Sequence, residues 1–184
     1  IKDMKLAKQL DLSSAMQDRL YLNDSRIQDM ANAIRQIASQ TEPVGRVLDG
    51  WLTKDNLNIQ KVSIPIGVIA IIYESRPNVT SDTAALCFKS GNVCVLKGGK
   101  EAENSNKAIA KIIQDVLEKN NLPKEIVSLL PDSSREGVAK LIVEDKYVDL
   151  IVPRGGEALI KFITQNSSIP VIKHDKGVCH TFID

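Results

Sequence analysis

The chain has 184 residues, with 24 Lys and Arg against 23 Asp and Glu, a formal net charge of +1 and 43% hydrophobic residues. That is enough to bury a sizeable core in one or two domains, and too evenly charged to suggest nucleic acid or an anionic membrane surface as partner. No apolar run approaches the ~20 residues of a membrane span and no signal-peptide pattern opens the chain, while three cysteines without metal-ligand spacing are expected to be reduced thiols of a cytoplasmic protein holding no metal.

In chain order, Met4, Leu6, Ala7 and Leu10 begin a helical stretch, and Ser13 or Ser14 can cap a second short helix. Asn23 or Asp24 caps a longer one over 25–40, with Ile27, Met30, Ala31, Ile34 and Ile37 expected on its core face. Glu42-Pro43-Val44-Gly45 ends it. Residues 46–51 and 57–63 read as two strands around the turn Thr53-Lys54-Asp55-Asn56, and Trp51 is expected to be buried.

The run 66–73, Val- and Ile-rich between Pro65 and Pro77, predicts a strand buried on both faces. After the polar turn Glu74-Ser75-Arg76-Pro77-Asn78, a helix is expected from Val79, capped by Thr80, Ser81 or Asp82 and stopped by Gly91. A second strand, 93–96, ends at Lys97-Gly98-Gly99-Lys100. Strand, helix and strand at this spacing form a βαβ unit of a parallel sheet. The amphipathic helix 102–120 is expected to turn Ala108, Ile109, Ile112, Ile113, Val116 and Leu117 to the sheet. Then come strand 126–130, the loop Pro131-Asp132-Ser133-Ser134, helix 135–143 capped by Ser133 or Ser134, strand 148–152, the loop Pro153-Arg154-Gly155-Gly156 and helix 157–165. A short strand is expected at Val171-Ile172 and another over 178–183. The fold class is α/β: an open, Rossmann-like parallel sheet flanked by helices, preceded by N-terminal helices and a β-hairpin.

Ligands of open α/β sheets bind outside the carboxyl ends of the strands, which is where the polar turns fall. Gly98 and Gly99 carry no side chain to keep a phosphate or ribose away, and Lys97 and Lys100 flank them with positive charge. An ordinary loop with two solvated lysines would look the same, because neither the phosphate-loop pattern nor the dinucleotide fingerprint is present. The helix beginning near Glu157 would offer free N–H groups and a positive dipole end to an anion.

The stretch YESRPNVTSDTAALCFKSGNVCVLKGGKEAENSN closely resembles the γ-glutamyl phosphate reductase branch of the aldehyde dehydrogenase superfamily. SSAMQDRLYLNDSRIQDM, EPVGRVLDGW and GVCHTFID match the same branch, so the resemblance covers essentially the whole chain. It implies a fragment of that fold, with residues 1–63 as N-terminal helices and an oligomerisation-type hairpin and 64–184 as the cofactor-binding domain. The catalytic domain with its nucleophilic cysteine is expected beyond the chain. The implied reaction of the complete enzyme is NADPH-dependent reduction of L-glutamyl 5-phosphate to L-glutamate 5-semialdehyde with release of phosphate, in proline biosynthesis. A thiolate attacks the acyl carbon, and hydride discharges the resulting thioester.

The resemblance also assigns roles. Asn78 is the expected oxyanion donor, and Arg76 is expected to hold the leaving phosphate or a substrate carboxylate. Lys97 corresponds to the lysine on the adenosine ribose. Lys100 stands where hydrolytic relatives often carry a glutamate that favours NAD, so NADP is the expected cofactor. Pro153, Arg154, Gly155 and Gly156 correspond to the loop at the pyrophosphate. The stretch Lys173-His174-Asp175-Lys176-Gly177 lacks the general base of hydrolytic relatives, which fits a reductase. Cys179 and His180, adjacent in a strand, would point to opposite faces, and Cys87 and Cys94 sit at apolar positions, so none is expected to be the nucleophile. The expected partners are a small-molecule substrate and further copies of the chain. Two other readings stay open: an acylating dehydrogenase for another acyl donor, and a nucleotide-binding module without chemistry.

Overall fold

The computed structural model describes residues 2–174 and 181–182. Three helices open the chain: α1 (Lys2–Gln9), α2 (Ser14–Leu20) and α3 (Asp24–Ser39). Ser13 caps α2 by accepting from the Met16 N–H, and Asn23 caps α3 by accepting from the Arg26 N–H at 2.9 Å. An antiparallel hairpin follows, β1 (Val47–Leu52) with β2 (Asn58–Val62), turning through Asn56 in the left-handed region at φ 61°.

The remaining elements are β3 (Val68–Tyr73), α4 (Pro77–Lys89), β4 (Val93–Lys97), α5 (Glu103–Lys119), β5 (Val127–Leu129), α6 (Arg135–Leu141), β6 (Leu150–Arg154) and α7 (Glu157–Asn166). Four of these strands form a parallel sheet in the order β5-β4-β3-β6. The chain moves outward from β3 to β5, then returns to lay β6 against the other side of β3. That reversal opens a crevice at the carboxyl ends of β3 and β6. Alternation along β3 builds two cores. Ile69, Ile71 and Tyr73 meet Ala84 and Cys87 of α4 and Leu117 of α5, whereas Ala70 and Ile72 meet Val138 and Leu141 of α6 and Ile163 of α7. A strand covered on both faces has to be apolar throughout, and this one is.

Several expectations are corrected. α3 packs on α4 with Ile37 buried and Met30, Ala31 and Ala33 half-buried, leaving Ile27 52% exposed, because a helix at the surface covers only part of its apolar stripe. In α5 the inward line is Asn106, Ala110, Ile113 and Leu117, and Ile112 is 65% exposed. Trp51 is 52% exposed, since among the described residues the hairpin pairs only with itself and every position of both strands is exposed. α4 begins at Pro77 rather than Val79. Proline is at home there because the first turn has no use for its missing N–H, and Thr80 and Ser81 are buried within the helix. β6 runs two residues later than expected, so Pro153 and Arg154 pair with Ile72 and Tyr73 instead of lying in a loop. Val171 makes a single parallel bridge to Ile151, and most of the strand expected over 178–183 lies outside the described residues.

Candidate functional site

All the side chains singled out for chemistry lie along the carboxyl edge of the sheet, in three adjoining places. The first is a cleft of about 430 Å³ where α2 and α3 meet the start of α4. Arg19, Arg26, Arg76, Asp18, Asp29 and Asp82 line it together with Asn78. Arg26 is committed to the scaffold: it donates to the Asp18 carboxylate at 2.8 Å and the Tyr21 carbonyl at 2.9 Å, and lies over the Tyr21 ring. Arg19 and Arg76 make no hydrogen bond or ion pair among the described residues. Arg76 is the N-cap residue of α4 and contributes no side-chain cap. Asn78 lies in the first turn of α4, exposed, with its Nδ2 donating to Asp82 at 3.1 Å.

The second place is a cavity of about 220 Å³ between the ends of β4 and β5. Lys97 closes β4 half-buried, and burial pulls its ammonium below the ordinary lysine range while Glu101 opposes the shift. The glycines that follow are crowded by neighbouring side chains. A Cβ on Gly98 would fall 2.1 Å from Nδ2 of Asn106, and one on Gly99 would fall 2.0 Å from the Glu101 carboxylate. Glu101 itself accepts from the Ser75 N–H at 3.1 Å and from the Ser75 hydroxyl, tying the turn after β3 to the loop after β4. Lys100 is exposed and its charge is felt by Asp132 and Glu136. Asp132 is held below its usual range mainly by the Ser134 hydroxyl, and Glu136 by its own backbone N–H and then Ser134.

The third place is the crevice between β3 and β6. Pro153 is buried in the sheet and Arg154 is exposed at its end. Gly156 is the N-cap residue of α7, and its N–H donates to the Glu74 carboxylate at 3.1 Å. A carboxylate of the chain itself therefore occupies the positive end of α7. Cys87 and Cys94 are buried against one another; the hydrogen bond with Cys87, and burial, push the Cys94 thiol well above its ordinary range. His174 is exposed, while Cys179 and His180 lie outside the described residues.

Sequence reasoning missed Glu74, Glu101 and Asn106. The first two carried no local signal. Asn106 did, as a polar residue on the line that Ala110, Ile113 and Leu117 continue.

Fold and site together define a doubly wound α/β domain with ligand clefts along one sheet edge. The chain matches the aldehyde dehydrogenase family over residues 11–175, and it belongs to that family. It is 79% identical to the γ-glutamyl phosphate reductase of Aliarcobacter butzleri over 183 residues, all of this chain and 44% of that protein. The crystal structure of the Thermotoga maritima γ-glutamyl phosphate reductase superposes with a TM-score of 0.89 at 42% identity, covering 92% of this chain and 41% of that one. The Saccharomyces cerevisiae γ-glutamyl phosphate reductase gives 0.83 at 36% identity, covering 95% of this chain and 45% of that one. The chain thus spans less than half the length of these relatives.

Proposed function

We propose that this chain is the cofactor-binding part of a γ-glutamyl phosphate reductase, a cytoplasmic enzyme reducing L-glutamyl 5-phosphate to L-glutamate 5-semialdehyde with NADPH and releasing phosphate for proline synthesis. The 79% identity along the whole chain carries the reading. The cleft beside Arg76 adds chemical support. An amino-acid acyl phosphate brings an ammonium, a carboxylate and a phosphate; the cleft opposes Asp29 and Asp82 to the cation and Arg19 and Arg76 to the anions. In this reading Arg76 holds the phosphate or a substrate carboxylate. Asn78, released from Asp82, donates its amide to the oxyanion.

Residues 1–63 are then the N-terminal helices and an oligomerising hairpin of a homo-oligomer, and 64–184 the cofactor-binding domain. The nucleophilic cysteine belongs to a catalytic domain outside this chain. When bound, the nicotinamide supplies the hydride. Lys97 holds ribose hydroxyls, and the Gly155 and Gly156 backbone with Arg154 meets the diphosphate at the start of α7. Pro153, in the sheet, shapes the approach. Lys100 attracts the 2′-phosphate.

Calorimetric titration of the complete reductase with NADP and NAD tests the Lys100 assignment. Lys100→Glu is expected to weaken NADP roughly tenfold at low salt, since an attraction of about 1 kcal/mol at ~4 Å becomes a repulsion, while NAD holds or improves. An unchanged preference at low salt removes Lys100 from the 2′-phosphate site. The 184-residue chain alone, given semialdehyde, phosphate and NADP, is expected to produce no NADPH absorbance. Turnover that disappears with Cys87→Ser, Cys94→Ser or Cys179→Ser would overturn the placing of the nucleophile elsewhere.

A further inference from the structure

Asn106 faces the cavity between β4 and β5 from the second turn of α5, and only 3% of the residue is exposed. Its Oδ1 accepts from the Thr80 hydroxyl at 2.9 Å, and the Thr80 oxygen lies 2.6 Å from the Tyr73 hydroxyl. Thr80 has one proton, given to Asn106, so Tyr73 is the donor in the other bond. Burial keeps that phenol protonated, pushing it up to about 12 against the opposing effect of the Thr80 bond.

The relay runs from Tyr73 through Thr80 to Asn106, and this direction agrees with the amide orientation because among the described residues the buried Tyr73 hydroxyl has only Thr80 to donate to. The oxygen faces Thr80, and the nitrogen faces Gly98, filling the place of the missing Cβ. That nitrogen makes no hydrogen bond among the described residues. Among the described residues no fully buried side-chain nitrogen lacks a partner, so this one is open to the cavity, and a donor held at the cavity wall beside a half-buried ammonium is placed to meet an oxygen that enters.

We propose that Asn106 is a ligand-binding residue whose amide nitrogen donates to an oxygen at the adenosine-ribose end of the dinucleotide, either a ribose hydroxyl or its 2′-phosphate, alongside Lys97. The inference rests on the cofactor reading above and adds to it a residue selecting for that end of the molecule. It also gives Thr80 and Tyr73 a task, which is to hold the amide against rotation.

The experiment titrates the complete reductase with NADP, ADP-ribose, its 2′-phosphate and nicotinamide mononucleotide. Asn106→Asp is expected to lower affinity for the adenosine-end probes at least tenfold, because a donor becomes a charged acceptor, and to leave nicotinamide mononucleotide unchanged. Loss for ADP-ribose and its 2′-phosphate alike assigns the contact to a hydroxyl; loss for the 2′-phosphate alone assigns it to that group. Asn106→Ala removes the donor without adding charge and serves if the aspartate variant folds poorly. Folded variants that bind every probe like the wild type would overturn the proposal. So would equal losses for both ends of the dinucleotide, the mark of a merely structural role. If the wild type binds no adenosine-end probe, the cofactor reading itself fails, a result distinct from a variant that binds normally.

Discussion

In the proposed cofactor site, Glu74 occupies the place assigned to the diphosphate. Its carboxylate accepts from the Gly156 N–H at the start of α7, the end of the helix that favours negative charge by about 0.3–1 kcal/mol. On that reading a ligand phosphate displaces it. Glu74→Gln is therefore expected to tighten NADP binding to the complete reductase roughly two- to fivefold at low ionic strength, with the gain shrinking as salt screens both charges. Titration at two salt concentrations reads this directly. Weaker binding in the variant would mean that Glu74 holds the crevice open for the ligand instead of competing with it.

Among the elements, α1 adds to its apolar packing through Ala7 one polar tie to α5. Asp3 is 3% exposed and accepts from the backbone and side chain of both Asn104 and Ser105, supplying the cap that Ala102 does not give α5. Burial alone would raise its carboxyl; the four hydrogen bonds outweigh burial and hold it below the ordinary range. The sign follows. A carboxyl depressed in the fold stabilises it above the unfolded value of about 3.9, and that contribution is lost as pH falls through the lower folded value. Below about pH 4, α1 is expected to leave α5 before the sheet opens, seen as early hydrogen exchange in residues 2–9. Asp3→Asn is expected to weaken the docking by about 1–3 kcal/mol at neutral pH and to remove the acid step. An acid step persisting in that variant assigns it to another group.

The hairpin poses a different question, because both of its faces are exposed and an isolated two-stranded ribbon is marginal in water. Trp51 and Ile59 lie directly opposite one another. If the hairpin assembles copies as proposed, Trp51→Ser with Ile59→Lys is expected to lower the sedimenting mass of the complete reductase while leaving the sheet folded. A mass unchanged from wild type removes the hairpin from the interface.

For the whole molecule, the two cores are joined through β3, whose alternate residues supply both. Ile72 is fully buried between Val138, Ile151 and Ile163. Ile72→Ala is expected to cost about 2–5 kcal/mol, from lost burial and the cavity left behind, with an unchanged denaturant slope. A loss under 1 kcal/mol would mean that α6 and α7 collapse onto the gap. Because β3 also delivers Glu74 and Ser75, the same substitution is expected to loosen the crevice at its carboxyl end.

Local sequence determined the elements themselves: the caps Ser13, Asn23 and Ser134, the βαβ rhythm, and a central strand apolar on both faces. Each is a property of a few contiguous residues, through periodicity, capping chemistry or β-branching, and so can be read before the chain folds. The resemblance carried by residues 73–106 supplied the family as well. Tertiary structure alone decided which edge of α3 and α5 is covered, that Trp51 faces outward, and that β6 reaches Arg154. It alone decided what fills the space beside the glycines. Asn106 meets Thr80 across 26 positions and Glu74 meets Gly156 across 82. Such contacts exist only once the sheet has brought its strand ends together, because no local pattern spans those separations.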